Sequence, residues 1–218
     1  MNKKKIIHSW NLYVITDEML SRGRPPQEIA RQAIGGGAEV IQFRDKIASG
    51  RKLYETGLEL KQLTREKKVS FIVNDRIDLA LILDADGVHV GQSDIPASAA
   101  RQLLGPDKIL GISAASVTEA RQAEADGADY LGVGPIFEAR GTKADAGNPQ
   151  GLELLVQIRQ KCSLPLIAIG GINRQNVASV IQAGADGAAI VSAIVAADDI
   201  VQASSQIKSI ILNIKSRM

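Results

Sequence analysis

One short pattern recurs four times along this 218-residue chain and constrains its fold more than any other feature. It reads Gly36-Gly37-Ala38-Glu39-Val40-Ile41, then Asp84-Ala85-Asp86-Gly87-Val88, then Gly127-Ala128-Asp129-Tyr130-Leu131, then Gly184-Ala185-Asp186-Gly187-Ala188. In each copy a helix-like segment runs into a small-residue turn, and the turn runs into a short apolar strand. Glycine suits the left-handed position that ends a helix before the chain drops into a strand. A joint of this kind, repeated, is the mark of one continuous βα array rather than of separate domains.

Extending the pattern gives eight strands, at about 11–16, 39–44, 70–74, 87–91, 109–113, 130–135, 166–170 and 187–192. Helical periods fall between them: Ala30, Ala33 and Ile34 share one face, as do Val177, Val180 and Ile181, and residues 118–125 and 198–215 read as further helices. Strands such as Leu166-Ile167-Ala168-Ile169 are apolar on both sides, as parallel strands covered by helices must be. Eight βα units in this length predict a single (β/α)8 barrel, of the TIM type, over 11–218, preceded by a solvated basic tail at 1–10. A doubly wound open sheet is the alternative.

Composition narrows the function. Apolar residues make up 45% of the chain, enough for a full core, but aromatics only 3%, so no aromatic nucleic-acid platform is expected. The net charge of +2 leaves room for a local basic pocket, not for a global polyanion surface. No apolar run has signal-peptide or membrane-spanning length, and the single cysteine, Cys162, has no internal disulfide partner. These features predict a soluble protein of the reducing cytoplasm, with small-molecule substrates, no nucleic acid and no membrane. They leave assembly into a homo-oligomer open.

A barrel brings all eight strand ends to one face, where active sites of this fold lie. Asp75 and Asp94 each close a strand-like run, and together they make a seat for a hard cation such as Mg²⁺. The competing reading is that both cap the helices that follow. Gln42, Arg44 and Lys46 alternate along the second strand end, which turns them toward one pocket, and two cations so spaced can grip a pyrophosphate. Ser113 ends the fifth strand and suits a hydrogen bond to phosphate. The long aperiodic segment after strand six carries Thr142 and Lys143, also suited to phosphate. Gly170-Gly171 and Val191-Ser192 end strands seven and eight, the recurrent phosphate site of these barrels. His89, in mid-strand, reads as a satisfied barrel histidine, so a histidine general base is not expected.

Taken in order, Gln42-Phe43-Arg44-Asp45-Lys46, Val73-Asn74-Asp75-Arg76, Gly87-Val88-His89-Val90-Gly91-Gln92-Ser93-Asp94 and Ala168-Ile169-Gly170-Gly171-Ile172 resemble the thiamine-phosphate synthase (thiamine-phosphate pyrophosphorylase) family over nearly the whole chain. The resemblance implies a Mg²⁺-dependent transferase on a (β/α)8 barrel. It would join 4-amino-2-methyl-5-(diphosphomethyl)pyrimidine to 4-methyl-5-(2-phosphoethyl)thiazole, or the carboxylated form of the thiazole, giving thiamine monophosphate and pyrophosphate. It further implies that Gln42, Arg44, Lys46, Asn74, Ser113 and Lys143 bind the pyrimidine diphosphate, with Arg44, Lys46, Ser113 and Lys143 catalytic. Asp75 and Asp94 would hold Mg²⁺, and Thr142, Gly171, Val191 and Ser192 would bind the thiazole phosphate. One departure stands out: Glu138-Ala139-Arg140-Gly141-Thr142-Lys143 is one residue longer than the family's Pro-Thr-x-Thr-Lys and lacks its first threonine. A thiazole tautomerase-like isomerase and a catalytically silent phosphate-binding barrel are the alternatives.

Overall fold

A computed structural model describes residues 3–138 and 148–218. Eight parallel strands close into a barrel in chain order: β1 (Leu12–Ile15), β2 (Val40–Phe43), β3 (Ser70–Asn74), β4 (Gly87–Val90), β5 (Ile109–Ala114), β6 (Tyr130–Val133), β7 (Leu166–Ile169) and β8 (Gly187–Ile190). β8 returns to β1 in the register Leu12↔Ala188 and Val14↔Ile190, which rules out the open sheet. All eight expected strands are present.

The helices are α1 (Lys3–His8), α2 (Pro26–Gly35), α3 (Gly50–Lys67), α4 (Ile77–Ile82), α5 (Ala97–Leu104), α6 (Val117–Ala125), α7 (Glu153–Arg159), α8 (Val177–Gln182), α9 (Ser192–Val195) and α10 (Ile200–Lys215). Strand side chains alternate between two apolar layers. Val14, Ile41, Val73, Val88 and Leu131 pack outward against the helices. Tyr13, Val40, Ile72, Ile109, Tyr130 and Ile167 fill the barrel interior. This double covering is why the strands read as continuously apolar.

The repeated joint does two jobs at the N-terminal end of the barrel. Its turn residue is left-handed in all four copies: φ is +97° at Gly37, +50° at Asp84, +88° at Gly127 and +104° at Gly184. Its acid then reaches across to the preceding strand. Glu39 accepts from the N–H of Leu12 (3.1 Å), Asp86 from Phe71 (2.7 Å), Asp129 from Leu110 (2.9 Å) and Asp186 from Leu166 (2.8 Å). Each of these buried N–H groups lies at the foot of its strand, where the carboxylate satisfies it.

Residues 1–10 were expected to be a solvated tail, and from Lys3 onward they are not. α1 packs under the barrel, with Ile7 and Trp10 fully buried against the interior layer. The Trp10 ring meets Tyr130 edge-on at 5.2 Å, and its N–H donates to Ser70 Oγ at 3.1 Å. Three lysines set the character of the sequence there, but Ile7 and Trp10, three positions apart, share a face and seal the floor.

Candidate active site

At the C-terminal ends of the strands lies a cavity of about 500 Å³. Gln42, Arg44, Asn74, Ser113, Gly171, Val191 and Ser192 all line it, so residues from five strand ends meet in one place. Asn74 and Gly170, from opposite arcs of the barrel, share this wall.

Arg44 is held from two directions. Its backbone N–H donates to Thr16 Oγ1 (3.0 Å), and that hydroxyl donates back to the Arg44 carbonyl (3.1 Å). Its guanidinium pairs with Asp17, which is only 3% exposed. The other Asp17 oxygen accepts from the N–H groups of Met19 and Leu20, both at 3.1 Å. A buried carboxylate with both oxygens engaged is a rigid anchor, and it leaves the rest of Arg44's planar donor fork for a ligand.

Lys46 departs from its expected place. β2 ends at Phe43, so strand alternation carries Gln42 and Arg44 into the cavity and stops there. Lys46 stands at the rim, half exposed, with its ammonium on Asp75.

Asp75 and Asp94 come together, and neither caps a helix: the residues at the caps of α4 and α5 are Arg76 and Pro96. Asp75 takes a left-handed backbone (φ +59°), and its N–H donates to the His89 carbonyl at 2.8 Å. Asp94 accepts from the Gly91 N–H at 2.8 Å. Burial, and then the neighbouring Asp75 charge, raise the Asp94 carboxyl above its ordinary range, although the Gly91 hydrogen bond pulls the other way. A cation between the two acids would relieve that repulsion. No group of three or more His, Cys, Asp or Glu suited to a metal occurs among the described residues. The donor set is therefore two carboxylates, with water and substrate oxygens left to complete a shell. That is how Mg²⁺ is usually held, so the residues fit.

On the far wall, Gly171 is left-handed (φ +63°), and a Cβ there would lie 2.8 Å from Phe137 Cβ. Asn176 donates to its carbonyl at 3.0 Å and shapes the turn. Beyond Val191, α9 is a single turn of four residues, and its first residue, Ser192, lines the cavity. Thr142 and Lys143, with the whole altered stretch 139–147, lie outside the described residues.

Sequence reasoning missed the floor of this cavity. Tyr13, Tyr130 and His89 all line it. The available signal was parity: Tyr13 lies two positions before Ile15 on the inward face, and Tyr130 pairs with Gly111 in the register of β5 and β6. His89 is satisfied, as expected, with both ring nitrogens hydrogen-bonded.

A model of a family described as thiamine monophosphate synthase matches residues 12–194, from the first residue of β1 into α9. The chain belongs to the thiamine monophosphate synthase family. Thiamine-phosphate synthase of Chloroflexus aurantiacus is 56% identical over 205 residues, covering 94% of each chain. That of Moorella thermoacetica is 50% identical over 208 residues, covering 95% of this chain and 99% of its own. Among solved structures, thiamine phosphate pyrophosphorylase from Pyrococcus furiosus superposes with a TM-score of 0.88 at 42% identity, covering 98% of this chain and 99% of its own. Membership makes the chain an enzyme of the transferase class. No helix among the described residues is long and apolar enough to cross a membrane.

Proposed function

We propose that this enzyme joins 4-amino-2-methyl-5-(diphosphomethyl)pyrimidine to 4-methyl-5-(2-phosphoethyl)thiazole, or its carboxylated form, releasing pyrophosphate and thiamine monophosphate, and carbon dioxide as well when the carboxylated form is used. One observation carries the reading. A carboxylate pair, Asp75 and Asp94, stands with Lys46 at the rim next to the strand end of Asn74, while the anchored Arg44 and a glycine-lined corner at Gly170-Gly171 and Ser192 line the cavity itself. That supplies one place for a metal-bound diphosphate and another for a second phosphate.

In this reading Arg44 binds the diphosphate through the donors that Asp17 leaves unused. Lys46, paired with Asp75 in the structure, would turn its ammonium to the same anion. Asn74 and Ser113 add neutral hydrogen bonds, and Lys143 a further charge. Asp75 and Asp94 would hold Mg²⁺, which when bound would neutralise charge building on the leaving oxygens. The bond between the pyrimidine methylene and the diphosphate oxygen breaks, and its electron pair leaves with the oxygen. The aminopyrimidine ring delocalises the positive charge left on the methylene. The thiazole nitrogen then gives its lone pair to that carbon, forming the new C–N bond. Thr142, Gly171, Val191 and Ser192 hold the thiazole phosphate so that the nitrogen faces the methylene. The apolar walls at Ile15, Ile167 and Ile169 keep water from capturing the cation first. No histidine base is required, because fixed charges do the work.

The test is direct. The purified chain with both substrates and Mg²⁺ should form thiamine monophosphate, with pyrophosphate released in equal amount and only when the thiazole is present. Isomerisation of a thiazole carboxylate phosphate without the pyrimidine would assign the tautomerase reaction instead. No turnover of either kind would leave a phosphate-binding barrel.

A further inference from the structure

A line of hydrogen bonds crosses the cavity floor to Ser113 through Tyr13, Tyr130 and His89, groups that the reaction above does not use. Gln42 Nε2 donates to the Tyr13 hydroxyl at 2.8 Å, and that hydroxyl lies 2.9 Å from the Tyr130 hydroxyl. The Tyr130 oxygen is 3.0 Å from His89 Nδ1, and His89 Nε2 is 3.0 Å from Ser113 Oγ. Five strands contribute one side chain each: β2, β1, β6, β4 and β5. Gln42 and both tyrosines are buried. Burial pushes both phenols well above their usual range, so each keeps one proton to donate at neutral pH.

Counting those protons gives the line a direction. Tyr13 already accepts from Gln42. If Tyr130 also donated to it, the Tyr13 proton would be left without a place in the line, a costly state for a buried hydroxyl. Tyr13 therefore donates to Tyr130, and Tyr130 donates to His89 Nδ1. An imidazole that accepts at Nδ1 carries its proton on Nε2 and donates to Ser113 Oγ. The Ser113 proton stands at the end of the line and is not used within it, and Ser113 lines the cavity. Two glycines make room for the arrangement. A Cβ at Gly111 would lie 2.2 Å from Tyr130 Cζ, and one at Gly132 would lie 2.7 Å from His89 Cε1.

We propose that Tyr13, Tyr130 and His89 are positioning residues that hold the Ser113 hydroxyl as a one-way donor, its proton aimed into the cavity at an anionic phosphate oxygen. The inference rests on the reading of Ser113 as a diphosphate ligand. An ionised diphosphate offers acceptors only, so a hydroxyl free to rotate spends part of its time facing it with lone pairs. The line removes that freedom before the ligand arrives.

The experiment reads binding and proton position rather than product, so failure of the condensation assay would not be confused with failure here. Binding of inorganic pyrophosphate with Mg²⁺ is measured by calorimetry for the wild type, Tyr130→Phe, Ser113→Ala and the double variant. Each single change should weaken binding about threefold to tenfold, the scale of one hydrogen bond. The double variant should bind no worse than Ser113→Ala alone, because the line acts only through that hydroxyl. Losses that multiply would overturn the proposal and leave Tyr130 a packing residue. A second measurement does not depend on how Tyr130→Phe folds. In a His8→Gln background, ¹⁵N spectra above the histidine titration range should show a protonated Nε2 and an unprotonated Nδ1 on His89 when pyrophosphate is bound. The opposite tautomer would reverse the line and end the argument.

Discussion

Removing the acid of a single joint tests the account of the fold most sharply, and Asp129→Ala is the cleanest case. The Asp129 carboxylate accepts from the buried Leu110 N–H at 2.9 Å and from Arg101 at 2.5 Å, and it pairs with Lys3 at 2.9 Å. Alanine leaves the Leu110 N–H without an acceptor, which costs about 1–3 kcal/mol. Arg101 keeps the carbonyls of Gly105, Lys108 and Gly127, so losing its ion partner adds only about 1 kcal/mol. The total of roughly 2–4 kcal/mol should lower the melting temperature by about 5–15 °C in a domain of this size. Asp129→Asn keeps an oxygen for Leu110 and should lose only about 1 kcal/mol. Urea unfolding followed by circular dichroism, with an unchanged m-value, gives both numbers. Turnover at room temperature should be unaffected, since this joint lies at the end of the barrel away from the cavity. A change under about 0.5 kcal/mol for the alanine variant, or equal losses for both, would refute the claim that the acid is there to satisfy the strand.

Three further predictions concern the mouth. Asp94→Ala should lose most turnover while melting within a few degrees of the wild type, since its carboxylate serves a rim turn; full activity would remove Asp94 from the metal seat. Asp75→Asn should lower the titration of Asp94 by removing the charge beside it, visible in the carboxyl ¹³C shift. Because Asp94 is raised in the folded state, the metal-free protein loses stability as pH rises through that titration, and Asp75→Asn should shrink the loss; an unshifted Asp94 would show the two acids to be uncoupled. Asp17→Asn should raise KM for the pyrimidine diphosphate about tenfold, the worth of one hydrogen bond to a charged group, and leave the thiazole phosphate nearly alone; equal effects on both substrates would mean that Asp17 supports the barrel rather than Arg44.

Much of this was legible in the sequence because the αβ joint writes its geometry locally. A left-handed turn needs glycine, or an acid such as Asp84, and four copies disclose a repeating unit. The acid two positions beyond each turn was equally visible, yet its partner is a strand 15 to 27 residues earlier, and no local pattern shows that. The same limit explains Lys46. Alternation holds only while the strand lasts, and where β2 ends is decided by its pairing with β1 and β3. The carboxylate pair was readable as a choice between metal seat and helix caps, and the structure removes the caps. The inward phenols of Tyr13 and Tyr130 were hidden by the opposite problem. Aromatics are so few that their scarcity drew notice, and the places where they do occur did not.

The helix that seals the barrel floor has a consequence for traffic. With Ile7 and Trp10 wedged beneath Tyr13 and Tyr130, the chamber formed by the described residues is closed at its floor and opens at the rim where the charged groups stand. Whatever enters deepest must leave last, so the order in which reactants are loaded dictates the order in which products can go.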